Sequence, residues 1–372
     1  MRKKAVGIIT LHRSANYGSV LQAFALQETI KKLGYDVENI DYSPSRYKIL
    51  AMLMGLKNKN ELIRKHLSIR IIVKMIMYPS YVLRYKTFKS LIRKYLDLSK
   101  EQYRDVADFE KKPTYYDIYC TGSDQVWNSE WNGMIDGPLF LSFVPEGSKR
   151  IAYAASFGKD KLEPWEVKET KELLRKYNDI SVRELDGKKI LNRLGIKNSQ
   201  CVLDPTLLID GDRWKKIASK KFENENYILV YNLNRNRKIH AYAEKLSKKT
   251  GYKIKYITYQ LHDFYKKGKM YCNVSVEDYL ALVANAKYVV TDSFHGVAFS
   301  INFNRDFVVV YPKKFSSRLR SILEIAGLCD RVINGINDDF SFDKIDYKEV
   351  NRRITEKKKE SMNYLQEALN GQ

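Results

Sequence analysis

Tyr288-Val289-Val290-Thr291-Asp292-Ser293-Phe294-His295-Gly296 is the stretch on which the reading of this chain turns. Four residues of strand character run into a polar loop, and residues 297–302 then take up helical spacing. The same grammar recurs on either side. Upstream, 227–231 reads as a strand, 237–250 as a helix ended by Gly251, 252–258 as a strand and 276–286 as a helix; downstream, 307–311 is a strand and 317–326 a helix stopped by Gly327. The N-terminal half repeats the pattern. Val6-Gly7-Ile8-Ile9-Thr10 is a strand, a polar loop follows, and 20–33 is amphipathic with Leu21, Phe24, Ala25, Ile30 and Leu33 along one side. Further strands are expected at 37–42, 116–120, 150–154 and 179–183, with 201–206 as the exit from this half and one surface helix at 348–370. Strands alternating with helices imply mainly parallel sheets. The expected architecture is α/β: two Rossmann-like domains facing a cleft, at 1–205 and 206–345, followed by a helix at 346–372. Ligands then belong in the loops after the strands.

The composition narrows the class. With 372 residues, 44% hydrophobic and 12% aromatic, the chain can fill two cores and is no disordered polyelectrolyte. Four cysteines at 120, 201, 272 and 329 form no Cys-x-x-Cys pair, which argues against a zinc ribbon or a disulfide scaffold and for a reduced, cytoplasmic protein. Met1-Arg2-Lys3-Lys4 leads into the first strand rather than a signal peptide. His12, His66, His240 and His262 have no partners at metal-ligand spacing, so no metal site is expected. The net charge of +22 calls for an anionic partner. Residues 46–95 hold 13 Lys/Arg against a single acid, Glu61, interleaved with Ile49-Leu50-Ala51-Met52-Leu53-Met54, Ile71-Ile72-Val73 and Met75-Ile76-Met77. These apolar runs are too short to span a bilayer. Such a segment suits either helices packed on their own domain with a solvated basic face, or an interfacial element on the anionic inner face of a membrane. No helix-turn-helix, zinc-finger or RNP-like signature accompanies the charge, so nucleic acid is not expected.

Four loops can carry chemistry. Asp292-Ser293-Phe294-His295-Gly296 opens a helix whose free N–H groups can hold an anion; Gly296 would admit it closely, and His295 could exchange a proton or merely cap the helix. Asn16-Tyr17-Gly18-Ser19 is the matching loop of the first half, neither Gly-x-Gly-x-x-Gly nor a Walker loop, able to bind sugar or phosphate or simply to form an Asx turn and cap. Asp124-Gln125-Val126-Trp127-Asn128 sets polar groups beside an indole, as sugar sites do, or else buries the Trp behind a turn. Arg183, at a strand end, could clamp a carboxylate or phosphate or pair with Glu184; Lys313, Lys314 and Arg318 form a second basic loop.

Together with Tyr153-Ala154-Ala155-Ser156-Phe157-Gly158, Ser181-Val182-Arg183-Glu184 and Asp204-Pro205-Thr206, these ordered motifs resemble the polysaccharide pyruvyl transferase family over residues from about 5 to 330. The resemblance implies the glycosyltransferase B arrangement of two Rossmann domains. It implies transfer of pyruvyl from phosphoenolpyruvate to a sugar of a cell-surface, often lipid-linked glycan, with formation of a ketal. His295 would be the catalytic group; Arg183, Ser293, Gly296, Lys313 and Arg318 would bind the donor. Asn16, Tyr17, Gly18, Ser19, Asp124, Gln125, Trp127 and Asn128 would bind the acceptor. Phosphoenolpyruvate enters as a co-substrate, and the chemistry calls for no metal or redox cofactor. Family members often carry Arg two residues before the His, where this chain has Ser293. That departure leaves Lys313 or Arg318 to hold the donor, or another donor to be used. A nucleotide-sugar glycosyltransferase of the same fold and a non-catalytic glycan- or membrane-binding protein are the alternatives.

Overall fold

The computed structural model describes residues 2–55, 65–333 and 344–371. Two wholly parallel sheets organise the chain. The first contains β1 (Ala5–Ile9), β2 (Asp36–Tyr42), β3 (Leu98–Tyr103), β4 (Ile118–Thr121), β5 (Lys149–Ala155), β6 (Asp179–Val182) and β7 (Ser199–Cys201), in the order β3-β2-β1-β4-β5-β6-β7. The second contains β8 (Tyr227–Tyr231), β9 (Lys253–Thr258), β10 (Lys269–Cys272), β11 (Tyr288–Thr291) and β12 (Asp306–Val309), in the order β10-β9-β8-β11-β12. The central strands are apolar along their whole length because helices cover both faces of the sheet: Tyr227 to Tyr231 are all buried. In each sheet the strand order reverses once, between β1 and β4 and between β8 and β11, and the loops at those two switch points face one another.

The edge strands β3, β7 and β10 escape the sequence reading. Leu98-Ser99-Lys100-Glu101-Gln102-Tyr103 is polar because only one flank of an edge strand pairs. The helix expected at 297–302 begins at Phe294, with Ser293 as N-cap accepting from the Gly296 N–H at 3.3 Å, so His295 sits in its first turn. The expected C-terminal surface helix, Tyr347–Asn370, is instead partly buried and joins the two sheets. Near its start the Tyr347 hydroxyl bonds to the Ser300 carbonyl at 3.4 Å. Near its end Tyr364 reaches the Ala152 carbonyl at 3.0 Å, and Ser361 Oγ accepts the Leu203 N–H at 2.9 Å.

The basic insertion forms two helices, Ile49–Gly55 and Leu67–Tyr95, which share a small apolar cluster around Leu53 and Tyr81. Glu61 and Arg64 lie outside the described residues. The insertion does more than decorate the first domain. Ser80 Oγ accepts the Leu261 N–H at 3.0 Å, Tyr95 bonds to Glu277 at 2.5 Å, and Lys94 pairs with the same carboxylate, so the long helix braces the second sheet. No helix among the described residues is long and apolar enough to cross a membrane.

Candidate functional site

A cleft of about 510 Å³ lies between the carboxyl ends of the two sheets. The loop after β1 contributes Ser14, Asn16 and Ser19, and the loop after β4 contributes Asp124 and Gln125. Opposite them stand Asn234 and Arg235 after β8, Ser293 and His295 after β11, and Lys314 and Arg318 after β12. The helix Leu67–Tyr95 closes one side with Tyr81 and Arg84.

His295 meets the first domain at Gly18. Any Cβ there would overlap the imidazole, so the glycine is required by close approach of the two lobes and is not open to a ligand. The residue is 5% exposed, and its buried Nε2 has no hydrogen-bond partner. Asp204 Oδ2 lies 3.9 Å from that nitrogen, too far to bond. Burial pulls the imidazole pKa down to about 4; Asp204 and Asp124 oppose this, while Arg183 and Arg318 add to it. The resting ring is therefore neutral at pH 7, a base before it is an acid.

Behind the ring lies a buried charge cluster. Arg183 bonds to Asp204 at 2.6 Å and to Asp124 at 3.1 Å, with its guanidinium stacked 4.3 Å from the Phe294 ring centre. Asp124, held in the left-handed region at φ 73°, also accepts from Ser19 Oγ at 2.7 Å and stands 3.7 Å from Arg318. Both carboxyls are held below the usual range despite their burial, chiefly by Arg183. Arg318 carries the opposite perturbation: burial, then Arg183, lowers its pKa to about 10. Its Nε has no partner, which makes it the cation in the cleft most in need of an anion.

Several expected contacts move. Arg183 does not line the cleft; its two terminal nitrogens bond to Asp204 and Asp124 and its buried Nε has no partner, so it sits behind the cleft wall as the centre of the charge cluster. Lys313 is exposed outside the cavity, and its neighbour Lys314 is the lining residue, paired with Glu130. Gly296 does not line the cavity either, since its Cα packs on the Thr291 side chain. Tyr17 is sealed between the lobes, stacked on Tyr279 at 4.5 Å and Tyr259 at 5.7 Å, with its hydroxyl on the Val274 carbonyl at 2.7 Å. Trp127 is core, packed on Phe140 and Phe157, and Asn128 is a buried cap for the next helical turn. Ser19, Asp124, Gln125, Asn16, Ser293, His295 and Arg318 do converge on the cleft.

The loop after β8 was not singled out from the sequence. Asn234 is fixed there by Asp292, whose carboxylate accepts the Leu233 and Asn234 N–H groups at 2.7 and 2.9 Å. The signal was its position: it follows a predicted strand at the same sheet end as His295. Ser156-Phe157-Gly158 and Glu184 also turn out to be scaffold, with one Glu184 oxygen accepting from Ser156 Oγ and the Phe157 and Gly158 N–H groups at 2.9–3.0 Å.

Comparison with known proteins adds the following. The family model described as "Polysaccharide pyruvyl transferase" matches residues 16–314. Among curated proteins there is no significant match. Solved structures similar in shape include a putative UDP-N-acetylglucosamine 2-epimerase from Listeria monocytogenes, at 11% identity and TM-score 0.49, covering 98% of this chain and 91% of that one. The UDP-GlcNAc 2-epimerase from Neisseria meningitidis bound to UDP-GlcNAc has 11% identity and TM-score 0.48, with 98% and 94% covered. An alpha-glucosyltransferase in complex with UDP and a 13-mer DNA has 9% identity and TM-score 0.47, with 98% and 95% covered.

Proposed function

The chain belongs to the polysaccharide pyruvyl transferase family, and from that premise we propose that its cleft transfers pyruvyl from phosphoenolpyruvate to two hydroxyls of one sugar, giving a ketal and inorganic phosphate. The observation that carries the reading is His295: a neutral imidazole with an unbonded Nε2, in the first turn of a helix, between two switch-point loops and beside the unsatisfied Arg318.

The donor brings a phosphate and a carboxylate. Arg318, the N–H groups at the start of the helix Phe294–Asn302, and the Ser293 hydroxyl are placed to receive them. Ser293 is neutral, so the guanidinium is the main countercharge near the ring. Entry of the anion offsets Arg318 and Arg183 and raises the imidazole pKa, so the ring takes up a proton as donor binds. The imidazolium then protonates the methylene carbon and leaves a cation at the adjacent carbon. The first sugar hydroxyl adds there, returning its proton to His295. Phosphate departs carrying a proton, the cation re-forms, and the second hydroxyl closes the ketal. Of the two hydroxyl protons, one ends in the new methyl group and one on phosphate. Asn16, Ser19 and Gln125 face the place where the sugar would lie. Positioning and fixed charge supply most of the acceleration in such a scheme.

The test is phosphate release from phosphoenolpyruvate in the presence of a glycan acceptor. His295→Gln should lower it roughly 10²–10⁴-fold, the usual contribution of a positioned proton donor. Stabilisation by nucleoside diphosphates, with no effect of phosphoenolpyruvate on Tm and no phosphate release, would instead assign the cleft to nucleotide-sugar chemistry.

A further inference from the structure

The long insertion helix also reaches into the cleft, where the transfer chemistry makes no use of it. Arg84 on that helix lines the wall and is fixed on two sides. Its Nε donates to the Ala15 carbonyl of the first lobe at 2.8 Å, and its guanidinium lies 4.0 Å from the centre of the Tyr259 ring of the second. One turn earlier, Ser80 Oγ accepts the Leu261 N–H at 3.0 Å, which pins the helix to the loop after β9. The side chain is therefore ordered before any ligand arrives, which spares binding the loss of its rotamer freedom. Its two Nη nitrogens have no hydrogen-bond or ion-pair partner among the described residues. A planar edge with two free donors matches a carboxylate.

Strand order places this fork relative to the reaction. The second sheet runs β10-β9-β8-β11-β12, so its cleft loops follow one another as Tyr259 and Gln260, then Asn234 and Arg235, then His295, then Arg318. Neighbouring strands stand about 4.8 Å apart, which sets the loop after β9 about 10 Å from that of His295, on the side away from Arg318. A single sugar with its hydroxyls at the imidazole does not reach so far; the sugar linked to it does. Gln260 supplies a second sign of a ligand at this end, because its Oε1 is buried with no partner. A simple anion offers nothing to a carbonyl oxygen, whereas a sugar hydroxyl does. Arg235 and Lys266 add positive charge here but share Asp263, at 3.8 and 2.9 Å. The first N–H of the short turn Leu261–Tyr265 is spent on Ser80, so the fork is the anion donor at this end, and not a turn start of the kind that suits phosphate.

We propose that Arg84 determines acceptor specificity: its fork binds the carboxylate of an acidic sugar adjoining the one that receives pyruvyl, with a hydroxyl of the same ring on Gln260. The acceptor class is then an acidic oligosaccharide, at least a disaccharide bearing a uronate carboxylate. This rests on the reading of the cleft as the transfer site only for which sugar reacts; the carboxylate site stands on its own residues.

Binding of cellobiouronate, digalacturonate, cellobiose and cellobiose 6′-phosphate to the full chain is measured by calorimetry without donor. Phosphoenolpyruvate affinity and acceptor-dependent phosphate release are followed separately. At least one uronate should bind more tightly than cellobiose and its phosphate, and Arg84→Gln should weaken that uronate roughly tenfold to a hundredfold. Arg84→Lys should recover only part of the loss, since a point charge does not reproduce the fork. Neither variant should change phosphoenolpyruvate affinity. Arg235→Gln, on an exposed side chain, should weaken the uronate roughly twofold to fivefold and keeps the comparison readable where a change at Arg84 disturbs the fold. Absence of uronate binding, binding no tighter than that of cellobiose, binding untouched by Arg84→Gln, preference for the 6′-phosphate, or a parallel loss of phosphoenolpyruvate affinity would overturn the proposal. Failure of phosphate release with Arg84-dependent uronate binding intact would refute the transfer chemistry and leave this site standing.

Discussion

Lowering the pH from 7.5 to 5 is expected to destabilise the folded protein by about 2 kcal/mol through His295 alone. The imidazole falls from the ordinary 6.5 to about 4 because the closed cleft strips it of water and sets Arg183 and Arg318 nearby. The folded state therefore resists a proton that the unfolded chain accepts. Above pH 6.5 neither state is protonated and the group contributes nothing; stability is then lost as pH falls from 6.5 towards 4. At pH 5 protonation favours the unfolded state by a factor of about 30, which is about 2 kcal/mol, and at pH 7.5 by almost nothing. The side chain is only 7% exposed, so solvent screening takes little from that figure. Urea unfolding of the wild type and His295→Gln at both pH values isolates the contribution, the variant losing about 2 kcal/mol less on acidification. Where the lobes unfold separately, the transition of the second sheet is the one to read. Carbon-labelled histidine followed by NMR gives the midpoint directly, with the resonance absent from His295→Gln identifying it. A midpoint at 6 or above, or identical pH dependence in the two proteins, would refute the reasoning.

Three further outcomes follow from the same site. Phosphoenolpyruvate binding near pH 6 should take up a proton, seen as a dependence of calorimetric heat on the buffer's ionisation enthalpy, and affinity should fall as pH rises; the same variant, His295→Gln, should abolish the uptake. Gly18→Ala should cost about 1–3 kcal/mol by overpacking the imidazole against the first domain, read as a lowered urea midpoint, and should reduce kcat more than donor affinity because the ring is displaced. Asp204→Asn should destabilise by ~3 kcal/mol, since a buried Arg183 loses one of its two countercharges; a change below about 0.5 kcal/mol in the unfolding free energy would contradict the assigned cluster.

Much of the architecture was legible because the central strands obey a strong local rule. A strand covered on both faces is apolar at every residue, and Tyr227 to Tyr231 or Tyr288 to Thr291 can be read without knowing their neighbours. The switch-point loops follow from strand order once those strands are placed. What could not be read is which way a loop residue faces. Trp127 and Gln125 are two positions apart, yet one is core and the other lines the cleft, and nothing in their spacing distinguishes a sugar-stacking indole from a packed one. The surroundings of Arg183 are hidden from the sequence for a related reason. Its countercharges, Asp204 and Asp124, are 21 and 59 residues away, and only the folded sheet brings them to it. Lys313 and Lys314 are both exposed, and nothing in their spacing tells which of the two adjacent side chains borders the cleft.

The helix Tyr347–Asn370 has a mechanical consequence. The chain leaves the first lobe once, near Asp204, and this helix carries it back, one end anchored at Ser300 and the other at Ala152 and Leu203. Together with the insertion helix, which ties Ser80 to Leu261 and Tyr95 to Glu277, it fastens the lobes at several separated places. Gly18 and His295, on opposite lobes and in contact, are thereby held in one register, and the imidazole needs no latch of its own.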